Sequence, residues 1–162
     1  MNWSYIAGFF DGEGGFHIGF ARSKKNEKAY LTPRVVVSFS STNKETLDKI
    51  AEFMLSNGIN CKNYCMLRKR DYGGIKRKTA YTIRISQPKD MSVFVQFIEP
   101  FLLEKKESCQ IFRECLDFWE KVHEGRSRML WAPEQLVEID NFAKRLAPLH
   151  TKRKPITITL TS

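Results

Sequence analysis

What this 162-residue chain lacks narrows the options. No apolar run approaches the roughly 20 residues that a membrane-crossing helix needs, so no membrane partner is expected. No basic leader precedes the first apolar stretch, and Asp11 and Glu13 interrupt that stretch, so no signal peptide is expected either. Histidine and cysteine are few and do not form a metal-ligand pattern. Cys61 and Cys65 have a spacing that zinc ligands sometimes use, but Cys109 and Cys115 fall in a helical pattern and no His pair completes a set. Buried free thiols in a reducing, intracellular compartment (cytoplasm, nucleoid or organelle) are the expectation. Acids are also short: 18 Asp and Glu stand against 27 Lys and Arg, a net charge of +9. That surplus points to a polyanionic partner, with nucleic acid ahead of membrane because no basic amphipathic anchor appears. The plainer alternative is a soluble basic protein. With 42% apolar and 28% charged residues, the composition is that of an ordinary globular chain, and a single domain over residues 1–162 is expected.

Periodicity supplies the element order. A short helical pattern ends at Asp11–Glu13, and from Phe16 the period becomes two: Phe16, Ile18 and Phe20 alternate with His17, Gly19 and Ala21. After the polar loop RSKKNEK, the return strand LTPRVVVSFSS sets Val35, Val37 and Phe39 on one face and Arg34, Val36, Ser38 and Ser40 on the other. Thr42 and Glu45 form a capping-box pattern, TNKE, before a helix through Leu47, Ile50, Ala51, Met54 and Leu55 that Gly58 ends. A second hairpin runs YCMLRKR, a turn at Gly73–Gly74, then KTAYTIRIS. Tyr81, Ile83 and Ile85 face one way, and Lys78, Ala80, Thr82 and Arg84 the other. Helices follow from about Asp90 to Ile98, after Glu104, and from Pro133 through Leu136, Ile139, Phe142 and Leu146. A basic tail, HTKRKP, and an alternating ITITLTS close the chain. No domain boundary is visible.

The stretch YIAGFFDGEGGF (Tyr5 to Phe16) poses the central question. Carboxylates at the carbonyl end of a helix are unfavourable unless something cationic answers them. Two acids followed by glycines could be no more than a helix C-cap with incidental charges. IAGFFDGEG (Ile6 to Gly14), however, resembles the signature of the LAGLIDADG homing endonucleases in spacing, small residues and both acids, and the element order is similar over most of the chain, least so after about Gly125. The resemblance implies an α+β fold of αββαββα order: an antiparallel four-stranded DNA-binding sheet backed by helices, here with extra C-terminal helices. Small residues at Ala7 and Gly8 would let a second helix approach closely. A single signature implies a homodimer, with Ile6, Ala7, Gly8, Phe10 and Asp11 expected at the interface and the two Glu13 carboxylates side by side at one end.

The resemblance further implies a site-specific, intron-encoded DNA endonuclease that cuts both strands across the minor groove and leaves 3′ overhangs. Its target would be a long, near-palindromic duplex. Glu13 stands at the metal-ligating acid, Gly12 at a position whose carbonyl can approach the metal, and Asp11 at an acid for which a structural capping role is as plausible as chemistry. Mg²⁺ is the expected cofactor, with Mn²⁺ able to substitute, activating water for in-line attack on phosphate. In PFLLEKKE, Lys105 takes the place of a charge-stabilising lysine, with Lys106 next in line. Asn43, or its neighbour Lys44, takes the place of a polar group that organises water. DNA-contacting candidates are Arg34, Ser38, Ser40, Arg68, Arg70, Lys78, Thr82 and Arg84 on the outward sheet faces, and Lys24, Lys25 and Lys28 on the first hairpin tip. His17 faces the same way, but no dedicated protein base is expected. A non-cutting binder on the same scaffold, an RNA maturase or a DNA-binding regulator, is the alternative.

Overall fold

Asn2 starts the first helix: its side-chain oxygen accepts the Tyr5 amide at 2.9 Å, satisfying one of the amides that a helix start leaves without a partner. In the computed structural model, which describes residues 1–25, 28–61, 63–67, 80–123 and 131–150, this helix is α1, Trp3–Glu13. It runs directly into β1, Gly14–Lys25, which pairs antiparallel with β2, Lys28–Ser41. The strands therefore extend further into the RSKKNEK segment than its polarity suggested. Helix α2, Lys44–Ser56, leads to β3, Asn63–Leu67, and β4, Ala80–Ile85. Then come α3, Pro88–Ile98, a short 3-10 turn at Glu99–Phe101, α4, Lys106–His123, and α5, Pro133–His150. The expected Gly73–Gly74 turn and the tail after His150 lie outside the described residues.

All strand pairs are antiparallel, in the order β1-β2-β4-β3. The second hairpin thus joins the first through β4 against β2, with Val37 opposite Ile85 and Phe39 opposite Ile83. The period-two reading holds: Val37, Phe39, Ile83 and Ile85 are fully buried on the helix-covered face, while Arg34 is exposed on the other. α1 and α3 to α5 pack against β1 or β2, and α2 packs against β2 and β4.

Aromatic rings fill the centre. Phe10 of α1 lies 4.7 Å from Phe16, 5.1 Å from Phe39 and 5.5 Å from Phe94, and Phe16 lies 4.7 Å from Phe112 of α4. Tilted and edge-on pairs of this kind contribute about 0.5–1.5 kcal/mol each beyond area burial. They fix the C-terminal half of α1 against both the sheet and α3, and β1 against α4. Gly14 permits the tight exit from the helix: a Cβ there would overlap the Phe10 ring.

Two boundary expectations shift. Asn43, not Thr42, caps α2, its Oδ1 accepting the Thr46 amide at 3.2 Å. Leu55, placed on the apolar stripe by its spacing, is instead exposed at the surface. Gly58 does end this helix, with φ of 79° in the left-handed region that glycine tolerates.

Candidate active site and nucleic-acid interface

The carbonyl end of α1 carries Asp11, Gly12 and Glu13, with no basic residue in its own last turn. The answering cation comes from far along the chain. Asp11 accepts the backbone amides of Leu103 at 2.8 Å and Lys105 at 3.0 Å. The Lys105 ammonium returns to donate to the Asp11 carbonyl. A carboxylate thus holds the entry to α4, and an ammonium sits on the α1 carbonyls, each with the sign its helix end favours. Asp11 is therefore a brace within the chain, its carboxylate already engaged by two backbone amides.

Glu13 is different. It is exposed, and no described residue bonds to its carboxylate. Gly12 beside it is also exposed and lies in the last turn, where helical carbonyls lack intrahelical N–H donors. An open carboxylate beside a carbonyl is a hard-oxygen donor set of the kind that Mg²⁺ or Ca²⁺ takes. Among the described residues no three His, Cys, Asp or Glu side chains cluster as a complete metal cage. The protomer's donors suit an ion whose remaining ligands are water, phosphate or a second carboxylate.

The face of α1 left open is not the expected one. Ile6, Ala7 and Phe10, expected to pair with a second helix, are fully buried in the protomer's own core. Their side chains point at the sheet and α3, so none is available to a partner. The open stripe is Tyr5, Gly8 and Gly12, and a Cβ at either glycine would meet nothing within 4 Å. Gly8 alone of the expected interface residues keeps an exposed position on this stripe.

On the open sheet face, a concavity of about 360 Å³ is lined by His17, Gly19, Arg34, Ser38, Ser40, Thr82 and Arg84, among others. Ser38 Oγ and His17 Nε2 are 2.8 Å apart, and Ser40 Oγ and Thr82 Oγ1 are 3.1 Å apart. Thr82 occupies the expected face but is only 3% exposed. Its hydroxyl is committed to Ser40, which corrects its expected role as a direct contact. Arg34 is exposed, and Ser38, Ser40 and Arg84 are half-buried. Lys24, Lys25 and Lys28 lie on paired strand ends, with Lys25 opposite Lys28, but only their backbone is described. Arg68, Arg70 and Lys78 lie outside the described residues. Asn43 caps α2 with its amide oxygen, so that atom is already engaged, and the Lys44 ammonium pairs with Asp48 at 2.8 Å.

Sequence reasoning missed one participant, His150. The last turn of α5 reaches the exit of the signature helix, where Asp11, Gly14, Lys105, Leu149 and His150 share a cleft of about 490 Å³. The His150 ring lies 5.9 Å from that of His17, nearly parallel at 3°. No local signal links residues so far apart in the chain.

The sequence pattern of the LAGLIDADG endonucleases matches residues 6–115. No curated protein sequence matches the chain. Among solved structures, the homing endonuclease I-CvuI in complex with its target in the presence of calcium superposes with a TM-score of 0.64 at 18% identity, over 96% of this chain and 85% of that one. The archaeal intron-encoded homing endonuclease I-Vdi141I, complexed with DNA, gives 0.63 at 20% identity over 94% and 86%. I-GzeII, a LAGLIDADG homing endonuclease in complex with a DNA target, gives 0.62 at 17% identity, over 88% of this chain but 44% of its own longer one. At these identities the likeness is one of fold.

Proposed function

The chain belongs to the LAGLIDADG endonuclease family, and from that premise we propose that it is a site-specific, double-strand DNA endonuclease of the intron-encoded homing type, working as a homodimer with Mg²⁺. The observation that carries this reading is the exposed Glu13 carboxylate at the end of a helix whose open stripe holds Gly8 and Gly12. Two such helices packed glycine to glycine around a two-fold axis bring both Glu13 side chains to one end. The minor groove is about 6 Å wide, so paired carboxylates there face one phosphate on each strand. Cutting across that groove leaves 3′ overhangs.

Glu13 and the Gly12 carbonyl are the donors that would hold the divalent ion, which supplies charge neutralisation and activates water. I-CvuI, similar in fold, was solved in the presence of calcium and, in a second complex, of magnesium. Lys105, tied to the Asp11 carbonyl beside Glu13, contributes positive charge where the phosphate gains negative charge. The sheet face with Arg34 and Arg84 lies in the major groove of a long, near-palindromic site, arginines to bases or phosphates. Such a substrate implies an intracellular compartment that holds DNA.

The test is cleavage of a plasmid carrying the intron-insertion sequence. Wild-type protein with Mg²⁺ should linearise it, and Glu13→Gln should lower the rate by about a thousandfold or more while retaining binding. Because Glu13 is exposed, the variant should fold as the wild type does. A wild-type protein that binds the duplex yet never nicks it with Mg²⁺ or Mn²⁺ would make this a non-cutting binder; preference for structured RNA would make it a maturase.

A further inference from the structure

α5 lies outside the stretch that matches the family pattern, which ends at residue 115, yet its final turn is built into the catalytic end. Its middle is fixed to α4, through Arg145 to Glu114 at 2.7 Å and Phe142 against Phe118 at 6.0 Å. Its tip is fixed to β1. There His150 stacks on His17, ring centroids 5.9 Å apart, with its ring set against the Phe16 backbone. His17 in turn is hydrogen-bonded to Ser38 on β2. The tip therefore bears on the first residues of β1, immediately after Glu13 and Gly14, and closes one side of the cleft that holds Lys105.

We propose that His150 is a positioning residue for the cutting reaction: stacked on His17, it clamps the tip of α5 over the exit of the signature helix, and the clamp opens when the two imidazoles gain charge. The catalytic half of this inference rests on the endonuclease reading above; the clamp itself does not.

The surroundings favour neutral rings. His17 faces His150, Arg34 of β2 and Arg84 of β4. His150 faces His17 and Lys105, with the carboxylates of Asp11, Glu104 and Glu107 around the same cleft. Asp11 is already committed to the amides of Leu103 and Lys105. Partial burial is the main cause that holds both rings below the ordinary histidine value of 6.5; the neighbouring cations reinforce it, and at His150 the Phe16 backbone offsets it only in part. A base whose folded-state value is depressed favours folding in its neutral form. The docked tip is thus fully supported above about pH 6.5 and loses support as pH falls through that value.

The experiment is amide hydrogen exchange of the last two turns of α5 in the full chain, corrected for the intrinsic effect of pH on exchange. Wild-type protection should be about tenfold higher at about pH 8 than at about pH 5.5. His150→Phe keeps a ring against His17 but removes one titrating group, and a charged His17 over a phenyl face is attracted to it. Protection in this variant should therefore become nearly independent of pH. His150→Ala should lose about tenfold at about pH 8, the loss of the ring stack and its backbone contact, and should match wild type at about pH 5.5, where the clamp is already open. In cleavage assays His150→Phe should flatten the acid side of the pH–rate profile, with DNA affinity unchanged. Equal wild-type protection at the two pH values, or an undiminished pH dependence in His150→Phe, would overturn the clamp. If no variant cuts DNA, the exchange data still decide the clamp, and only the endonuclease reading fails.

Discussion

Asp11 and Lys105 exchange bonds in both directions. The Asp11 carboxylate accepts the Lys105 amide at 3.0 Å, and the Lys105 ammonium donates to the Asp11 carbonyl. One pair thereby satisfies the start of one helix and the end of another. Two acids at the end of α1 are thus not equivalent: Asp11 is answered inside the protomer, and Glu13 is left to face solvent.

Asp11→Asn tests the first half of that distinction. The variant keeps an acceptor oxygen but loses the charge that strengthens two backbone hydrogen bonds. A loss of about 1.5–3 kcal/mol in unfolding free energy is expected, measured by urea denaturation at neutral pH. Glu13→Gln in the same assay should change stability by less than about 0.5 kcal/mol, as befits an exposed group.

Three glycines in the signature segment should respond in two ways. A Cβ at Gly8 meets open space, whereas one at Gly14 overlaps the Phe10 ring, which is wedged among Phe16, Phe39 and Phe94. Gly14→Ala should cost about 1–3 kcal/mol of stability through overpacking. Gly8→Leu should leave the protomer's unfolding nearly unchanged but shift sedimentation toward monomer, because bulk on the open stripe keeps two helices apart. Gly12→Leu should act as Gly8→Leu does. If Gly8→Leu sediments as wild type does, the pairing face lies elsewhere.

What could be read from the sequence follows the range of each interaction. The faces of β1, β2 and β4 were legible because alternation is local: Val35, Val37 and Phe39 announce a buried side within five residues. The existence of α1 was equally plain. Which of its faces turns inward was not, because apolar residues surround it on nearly every side. Ala7 and Gly8 are adjacent and both small, and only the packing of Phe10 among rings from β1, β2 and α3 decides that Ala7 is buried and Gly8 open. Asp11 meets amides 92 and 94 residues away, and His17 meets His150 across nearly the whole chain. Contacts of that separation leave no periodic trace.

The cysteines offer a test of the core. Burial pushes the Cys109 and Cys115 thiols up to about 12, and Cys61 is raised by the same cause. Thiolate is the reactive form, so these three should resist a thiol reagent in the native protein near pH 8 and react fully once the chain is unfolded. Rapid native-state labelling of Cys109 or Cys115, located by peptide mass, would contradict the packing of α4 against the sheet.

Arg34 and Thr82 share the open face of the sheet but differ in what they present to a duplex. Arg34 is exposed and brings a charge, whereas Thr82 is 3% exposed and holds Ser40 at 3.1 Å. Arg34→Ala should weaken binding to the target duplex and reduce the slope of log K against log salt by about 1, the signature of one lost phosphate contact. Thr82→Val fills nearly the same volume and should leave that slope unchanged, while costing about 1 kcal/mol of stability from the lost hydroxyl pair. Any effect of Thr82→Val on affinity must then act through Ser40, so Ser40→Ala should reproduce it. Were Thr82→Val to flatten the salt slope as Arg34→Ala does, the burial of Thr82 would not describe the state that meets DNA.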